Sequence, residues 1–343
     1  MSLISLLYKE LLKDPLSSLG QEIKILLEKK ELNQLWADNR VIPSDNWGAK
    51  FLQILRIALV ASPGIAHLNR LFKTRLDETF FKEQKTKKIS IIILAWNGWE
   101  KFTGPCLLSI FEKTDYPDYE VIIVDNGSTD GTSSGLKSFG KRIRVITNKE
   151  NRGFSFGNDQ AAKIARGEYL LFLNNDTLVK SGDWLTIMTD TLGLYPKIGA
   201  TGQFGVVYLD DKTDAFAQVV FMPEVVIPVA WLAAYCLMVK REAFFEAGCF
   251  RDDLYGIAGC EDIHLSYALR ESGWLSVTTP KWIYLNHFVG GSKEANPFVR
   301  DNYEILAKQW GPRRRILNCA RSNETTLGFW NRKKGDFYEL PKR

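Results

Sequence analysis

Residues 170–179 read LLFLNNDTLV: Leu170, Leu171, Phe172 and Leu173 form an unbroken apolar run, and Asn174, Asn175 and Asp176 end it abruptly. A short apolar run bounded by polar turn residues is the pattern of a parallel strand covered on both faces by helices. In open α/β sheets, ligands collect beyond the carboxyl ends of the strands, so an acid at that point can hold a cation or a substrate hydroxyl. A second reading makes Asp176 the N-cap of a following helix. Both readings stay open on this stretch alone.

Working outward, the same strand-then-polar pattern recurs. Strands are expected at 88–96 (KISIIILAW), 119–125 (YEVIIVD), 142–148 (RIRVITN) and 169–173, with helices at 100–112, 131–139 and 158–165 between them. Strands alternating with helices imply right-handed crossovers and a mainly parallel α/β sheet. Before residue 88 the pattern changes. Segments 3–12, 19–35 and 47–60 carry apolar residues at three- and four-residue spacing, which predicts amphipathic helices. Segment 70–88 holds seven bases against three acids and reads as a charged connector. The expected organisation is an N-terminal helical region over 1–87, an α/β domain over 88–310, and a basic, aromatic tail over 311–343.

Composition bounds the function classes. A chain of 343 residues is long enough for one large α/β domain with additions, or for two domains. A formal net charge of +5 is modest for this size and argues against sequence-independent nucleic-acid binding. Five cysteines, at 106, 236, 249, 260 and 319, show neither a CxxC pair nor metal-site spacing, which fits a reducing cytosol. The opening MSLISLLYKELLKD mixes acids and bases and reads as no signal peptide. The apolar stretch 51–68 contains Arg56 and is broken by Pro63 and Gly64, so it is not expected to span a bilayer.

Each of the four strands ends in polar residues: Trp96-Asn97-Gly98, then 125–130 (DNGSTD), 148–151, and Asn174-Asn175-Asp176. In a parallel sheet these turns converge on one edge and outline a cleft. Ordinary turn chemistry, with Asn and Asp capping and Gly taking positive φ, accounts for the same residues and holds at the same time. No GxGxxG follows the first strand and no GxxxxGK[ST] is present, which disfavours dinucleotide and P-loop cradles. Trp96 offers a flat surface for a base, and Asp125 can accept from a ring N–H or a ribose hydroxyl. A bound nucleotide diphosphate needs positive charge nearby. Mg²⁺ or Mn²⁺ held by Asp176 would supply it, since these ions take one or two carboxylates plus phosphate oxygens and waters.

The ordered runs SIIILAWNGWE, VIIVDNGSTDGT, NRGFSFGND, LLFLNNDTLV, AAYCLMVKREAFFEAGCF and CEDIHLSYALRESGW together resemble a family 2 glycosyltransferase with the GT-A fold, over roughly residues 88–310. The resemblance implies an inverting enzyme that moves a hexosyl or deoxyhexosyl group from a UDP- or dTDP-linked donor to an acceptor hydroxyl, in polysaccharide or glycolipid synthesis. It places Asn174, Asn175 and Asp176 where the metal-binding DxD motif falls, with Asn174 replacing the first acid. It puts Asp125 on the nucleobase and Ala95, Trp96, Asn97 and Asn158 around base and ribose, with Asn126 and Gly153 completing the nucleotide-sugar set. His287, before Gly290-Gly291-Ser292, resembles the histidine that joins the metal. A partly buried histidine satisfied by backbone is the bland account of it, and His67 reads as structural.

Two adjacent carboxylates, Glu261 and Asp262, open a helical pattern. The helix dipole alone favours acids there. Displacement at an anomeric carbon also needs a base for the acceptor proton, and a carboxylate serves if water is excluded. The family's ED motif implies Asp262 as base and Glu261 as its orienting neighbour. Many relatives carry a further acid two residues on, where this chain has His264. Gln203, Trp231 and Tyr235 are candidates for sugar selectivity. Two rivals stand beside the transferase. One is a nucleotide-sugar-binding protein without catalysis, because the first DxD acid is absent. The other is a sugar-nucleotide pyrophosphorylase, disfavoured because no Gly-rich, Arg- and Lys-containing loop follows the first strand. The tail mixes nine bases with Phe329, Trp330, Phe337 and Tyr338, which suits an anionic headgroup surface. The expected location is therefore cytoplasmic with peripheral contact at the inner membrane face, near a glycan or lipid-linked acceptor.

Overall fold

The structure, a computed structural model, describes residues 87–208, 216–219, 229–279, 285–287, 299–310, 328–331 and 336–339. The expected N-terminal helices and most of the basic tail lie outside the described residues. In chain order the strands are β1 (Ile89–Ala95), β2 (Tyr119–Asn126), β3 (Arg144–Asn148), β4 (Tyr169–Asn174), β5 (Thr177–Val179), β6 (Ile198–Gly202), β7 (Gly205–Tyr208), β8 (Phe216–Val219), β9 (Trp231–Leu232), β10 (Cys236–Lys240), β11 (Leu275–Thr278) and β12 (Leu285–His287). The helices are α1 (Gly104–Lys113), α2 (Thr132–Lys137), α3 (Phe154–Ile164), α4 (Trp184–Gly193), α5 (Arg241–Glu246), α6 (Glu261–Glu271) and α7 (Val299–Trp310). Two strands of the tail, Gly328–Asn331 and Asp336–Glu339, pair antiparallel.

Seven strands form one sheet in the order β11-β6-β10-β4-β1-β2-β3. β1 pairs parallel with both β2 and β4, β2 with β3, and β11 with β6; β10 alone runs antiparallel to its neighbours β4 and β6. The mainly parallel α/β sheet expected from the alternating pattern is therefore present, with one reversed strand. Its centre explains the apolar runs. Ile91, Ile92 and Ile93 of β1 and Leu170, Leu171 and Phe172 of β4 are wholly buried, as strands covered on both faces must be. Phe172 packs its ring 4.9 Å from Phe244 and 4.7 Å from Phe250. Each such side chain, fully buried, contributes about 1.5–3 kcal/mol.

The opening stretch now has its answer. β4 ends at Asn174, whose N–H donates to Tyr235 O at 2.9 Å. No helix follows Asp176. The chain enters β5, which pairs antiparallel with β12, and the next helix begins at Trp184 with Asp183 at its N-cap. The N-cap reading of Asp176 is thus excluded.

Two other boundaries differ from the pattern-based expectation. The helix expected from residue 100 opens as one π turn, Trp99–Thr103, before α1 starts. Pro105, within the first two positions of α1, has no N–H to extend a ladder from the turn before it, and it is at home where that donor would be unpaired anyway. α3 starts at Phe154, four residues ahead of expectation, because its first turn faces another loop: Phe154 N donates to Ile257 O at 2.6 Å. No helix among the described residues is long and apolar enough to cross a membrane.

Candidate active site

The ends of β1 and β2 are level, with Ala95 opposite Asp125, and their turns are laced together. Asn97 and Gly98 take positive φ, 55° and 72°. Asn97 N donates to Ser128 Oγ (2.9 Å), and Asn97 Oδ1 accepts from Thr129 N (2.8 Å). Asp130 Oδ2 accepts from Gly98 N and Trp99 N at 2.7 and 3.3 Å. The buried Asp125 accepts from Ser128 N through Oδ1 (3.0 Å), so its second oxygen can serve another donor. Trp96 stands 44 % exposed beside this turn, which is the surface a stacked base requires.

Asn126 and Asn158 both make hydrogen bonds within the protein. The Asn126 amide donates to Asn151 Oδ1 (2.8 Å) and Gly153 O (3.3 Å) and accepts from Asn148 Nδ2 (3.0 Å) and Arg152 N (3.3 Å). It braces the loop from β3 to α3. Asn158 donates to Phe154 O of its own helix at 2.9 Å and is buried. Gly153, at φ 86°, lies so close to the neighbouring loop that a Cβ there would meet Gly256 O at 2.7 Å.

The second cluster gathers at the end of β4. Thr177 Oγ1 donates to Asn174 O (2.7 Å) and Asn175 Nδ2 to Thr103 Oγ1 (2.9 Å), which fixes the turn around Asp176. Asp176 is 8 % exposed, and its Oδ1 is buried without a hydrogen-bond partner. Pairing of β12 with β5 sets His287 opposite Thr177. His287 Nε2 then lies 3.3 Å from Asp176 Oδ1 and 3.5 Å from Asn174 Nδ2. An unpaired carboxylate oxygen beside an imidazole nitrogen suits a divalent cation. Among the described residues no three His, Cys, Asp or Glu side chains gather, so such an ion would complete its shell with phosphate oxygens and water.

The third cluster is the acid pair at the start of α6. Gly259 and Cys260, at φ 112° and 72°, turn the chain into the helix. Asp262 Oδ1 accepts from Ile263 N (2.8 Å) and Oδ2 from Ala234 N (3.3 Å). Glu261 Oε2 is buried and unpartnered among the described residues. Burial first, and then the neighbouring Asp262, push the Glu261 carboxyl up to about 8. Burial also raises Asp262, against the pull of its backbone donors. An acid pair of this kind holds one proton near neutrality, carried by Glu261, and leaves the Asp262 carboxylate able to accept another, as a general base must.

Tyr235 joins the clusters. It follows Ala234, the backbone partner of Asp262, and its ring stacks on His287 at 4.3 Å and 6°. Its hydroxyl lies 3.5 Å from Gln203 Oε1, while the buried Gln203 Nε2 has no partner among the described residues. The contacts Asp262–Ala234, Tyr235–His287 and His287–Asp176 thus bring together acids that are 86 positions apart in the chain. Trp231 is half-buried against Phe204 (6.1 Å). His264 points elsewhere: its Nδ1 meets Tyr255 Oη (2.9 Å) and accepts from Trp310 Nε1 (3.0 Å), and burial lowers it to about 4, so it is neutral at physiological pH. A cavity of about 390 Å³ beside the π turn, lined by Trp99, Leu108, Phe139 and Arg142 among others, contains none of the candidate residues.

Residues 90–248 match the family model of glycosyl transferase family 2. Over that segment the chain is similar to glycosyl transferase family 2, and its fold is GT-A. It is 43 % identical over 93 residues to the uncharacterized glycosyltransferase YfnE of Bacillus subtilis, covering 26 % of this chain and 24 % of that one. It is 27 % identical over 220 residues to the N-acetylglucosaminyl-diphospho-decaprenol L-rhamnosyltransferase of Mycobacterium tuberculosis, covering 53 % and 70 %. It is 28 % identical over 253 residues to the O-antigen biosynthesis protein RfbC of Myxococcus xanthus, covering 66 % and 19 %. The chain spans a quarter or less of the length of several relatives that it matches. The crystal structure of GalNAc-T7 with UDP, GalNAc and Mn²⁺ shares the fold at a TM-score of 0.55 and 16 % identity, covering 68 % of this chain and 50 % of that one.

Proposed function

We propose that this chain is an inverting glycosyltransferase that moves a sugar from a UDP- or dTDP-linked donor to an acceptor hydroxyl. The observation that carries the reading is the unpaired, buried Asp176 Oδ1 beside His287, joined through Tyr235 to the acid pair. The base stacks on Trp96, and the outer oxygen of Asp125 accepts from the base or ribose. The laced turns of Asn97 and Asp130, together with the brace at Asn126, hold Ala95, Asn97 and the Gly153 loop in place around the donor. Mn²⁺ or Mg²⁺ held by Asp176 and His287, with Asn174 and Asn175 on the donor side, would neutralise charge on the leaving diphosphate. Asp262 takes the proton of the acceptor hydroxyl as its oxygen attacks the anomeric carbon. The bond from that carbon to the diphosphate oxygen breaks on the opposite face, which inverts the configuration. Glu261, buried beside Asp262, keeps its own proton and leaves Asp262 as the ionised member of the pair.

The rhamnosyltransferase and O-antigen relatives favour a glycan or lipid-linked acceptor. Such an acceptor is found at the inner membrane face, where a peripheral contact through the basic 311–343 tail would bring the enzyme. Nucleic acid is no partner in this reading. The test is a panel of UDP- and dTDP-sugars with Mn²⁺, read as free nucleoside diphosphate. Release from one donor, accelerated by acceptor, is the expected result. Donor-dependent thermal stabilisation without release would instead establish the non-catalytic binder that Asn174, in place of an acid, also permits.

A further inference from the structure

Helix α7 carries no residue of the candidate site, yet it grips the segment that presents Glu261 and Asp262. Asn302 is 2 % exposed. Its Nδ2 donates to Ala258 O at 2.9 Å and Gly259 O at 3.0 Å, and its Oδ1 lies 3.5 Å from Gly256 N, which donates to it. Eight residues later, about two turns along the same helix, Trp310 Nε1 donates to His264 Nδ1 at 3.0 Å. Between the two grips lie Gly259 and Cys260, both left-handed, and then Glu261 and Asp262. A non-glycine residue keeps such a backbone only where its surroundings over-determine it. Cys260 sets the direction in which α6 leaves the loop, and therefore where both carboxylates stand. From below, the same loop is met by Phe154 N on Ile257 O. From the side of α7, Asn302 Nδ2 holds carbonyls 258 and 259.

We propose that Asn302 is a positioning residue for the transfer reaction: by holding Ala258 and Gly259 it fixes the left-handed Gly259–Cys260 turn, and so the place of Asp262 relative to the acceptor hydroxyl. This rests on the reading of Asp262 as the base. It makes no contact with the donor, so its loss acts on the chemical step and not on donor binding.

Asn302→Asp keeps size and acceptor and removes both N–H donors. Turnover of the donor found in the panel should fall by about 10²-fold, as expected for a misplacement near 1 Å, while the donor KM and the affinity for UDP or dTDP stay at wild-type values. Amide hydrogen exchange, which needs no substrate, should quicken across 256–264 and stay slow in β1 and β4. A general loss of structure would instead raise KM and speed exchange in the central strands. Wild-type turnover in Asn302→Asp, or unchanged exchange at the Ile263 and His264 amides, overturns the proposal. Asp262→Asn is measured alongside. If it retains full turnover, the base assignment fails, and the exchange data still decide whether Asn302 holds the loop. Should Asn302→Asp not fold, Asn302→Ser removes the same N–H donors without adding a charge, and unchanged exchange across 256–264 in that variant would equally overturn the proposal.

Discussion

At the scale of single residues, the unpaired oxygen of Asp176 is a cost carried by the folded protein. A buried acceptor left without a hydrogen bond costs about 1–3 kcal/mol, and a divalent cation held by Asp176 and His287 would recover it. Nucleoside diphosphate with Mn²⁺ should therefore raise the melting temperature more than the sum of either alone, and Asp176→Asn should abolish that excess. Full turnover in EDTA would refute metal use. Asp262→Asn should lower turnover by about 10²- to 10⁴-fold with donor binding near normal, measured by calorimetry beside kinetics. Glu261 carries a pH signature. Its folded-state carboxyl is raised, so the folded protein holds a proton that the unfolded chain releases. The resulting stability is fully present below the ordinary carboxylate range and is lost as pH rises toward about 8. Glu261→Gln should thus flatten the fall of melting temperature between pH 5 and 8; a variant curve parallel to wild type would contradict the burial of this acid.

At the scale of elements, Gly153 at the mouth of α3 shows how one backbone position ties the nucleotide loop to the acid loop. With φ 86° and a Cβ that would strike Gly256 O and Ile257 O, Gly153→Ala must strain itself or push residues 256–257 away. A cost of about 1–3 kcal/mol is expected, together with a drop in turnover, both visible in a denaturant titration run beside kinetics. Elements differed in how plainly the sequence announced them. β1, β2 and β4 are buried on both faces, so their apolar runs are unbroken and their polar ends stand out. The Asn174–Asp176 turn and the Asp125 turn are visible as breaks of that kind, whereas the acid pair shows only as the start of a helical pattern and takes its role from the family resemblance. The start of α3 is not visible, because its first turn, FSFG, meets the loop at Ile257, far along the chain, and lacks its own periodicity. His264 and Asn302 were equally silent. Their roles arise from α7 meeting α6, and no local pattern encodes a contact across some forty residues. His287 is legible in the sequence only through the family resemblance, whereas the reason it reaches Asp176 is the β5–β12 pairing.

At the scale of the whole molecule, the strand order separates two halves by chain distance. β1, β2, β3 and β4 lie within residues 89–174 and form a contiguous block, β4-β1-β2-β3. The other side, β10-β6-β11, draws on residues 198–278 and joins that block within the sheet where β10 runs antiparallel to β4. Chain segments that are near neighbours close cheaper loops and meet sooner. In refolding, the nucleotide half should gain protection against exchange before β10 and β6 do, and pulse-labelling of amides at Ile92 and Met238 gives the order. During synthesis the same half leaves the ribosome first, and domains form as their residues emerge. The edge of β4 that β10 will cover is then briefly bare, a row of open backbone donors and acceptors beside fully apolar side chains. That edge is where a nascent or stalled chain would aggregate or recruit a chaperone.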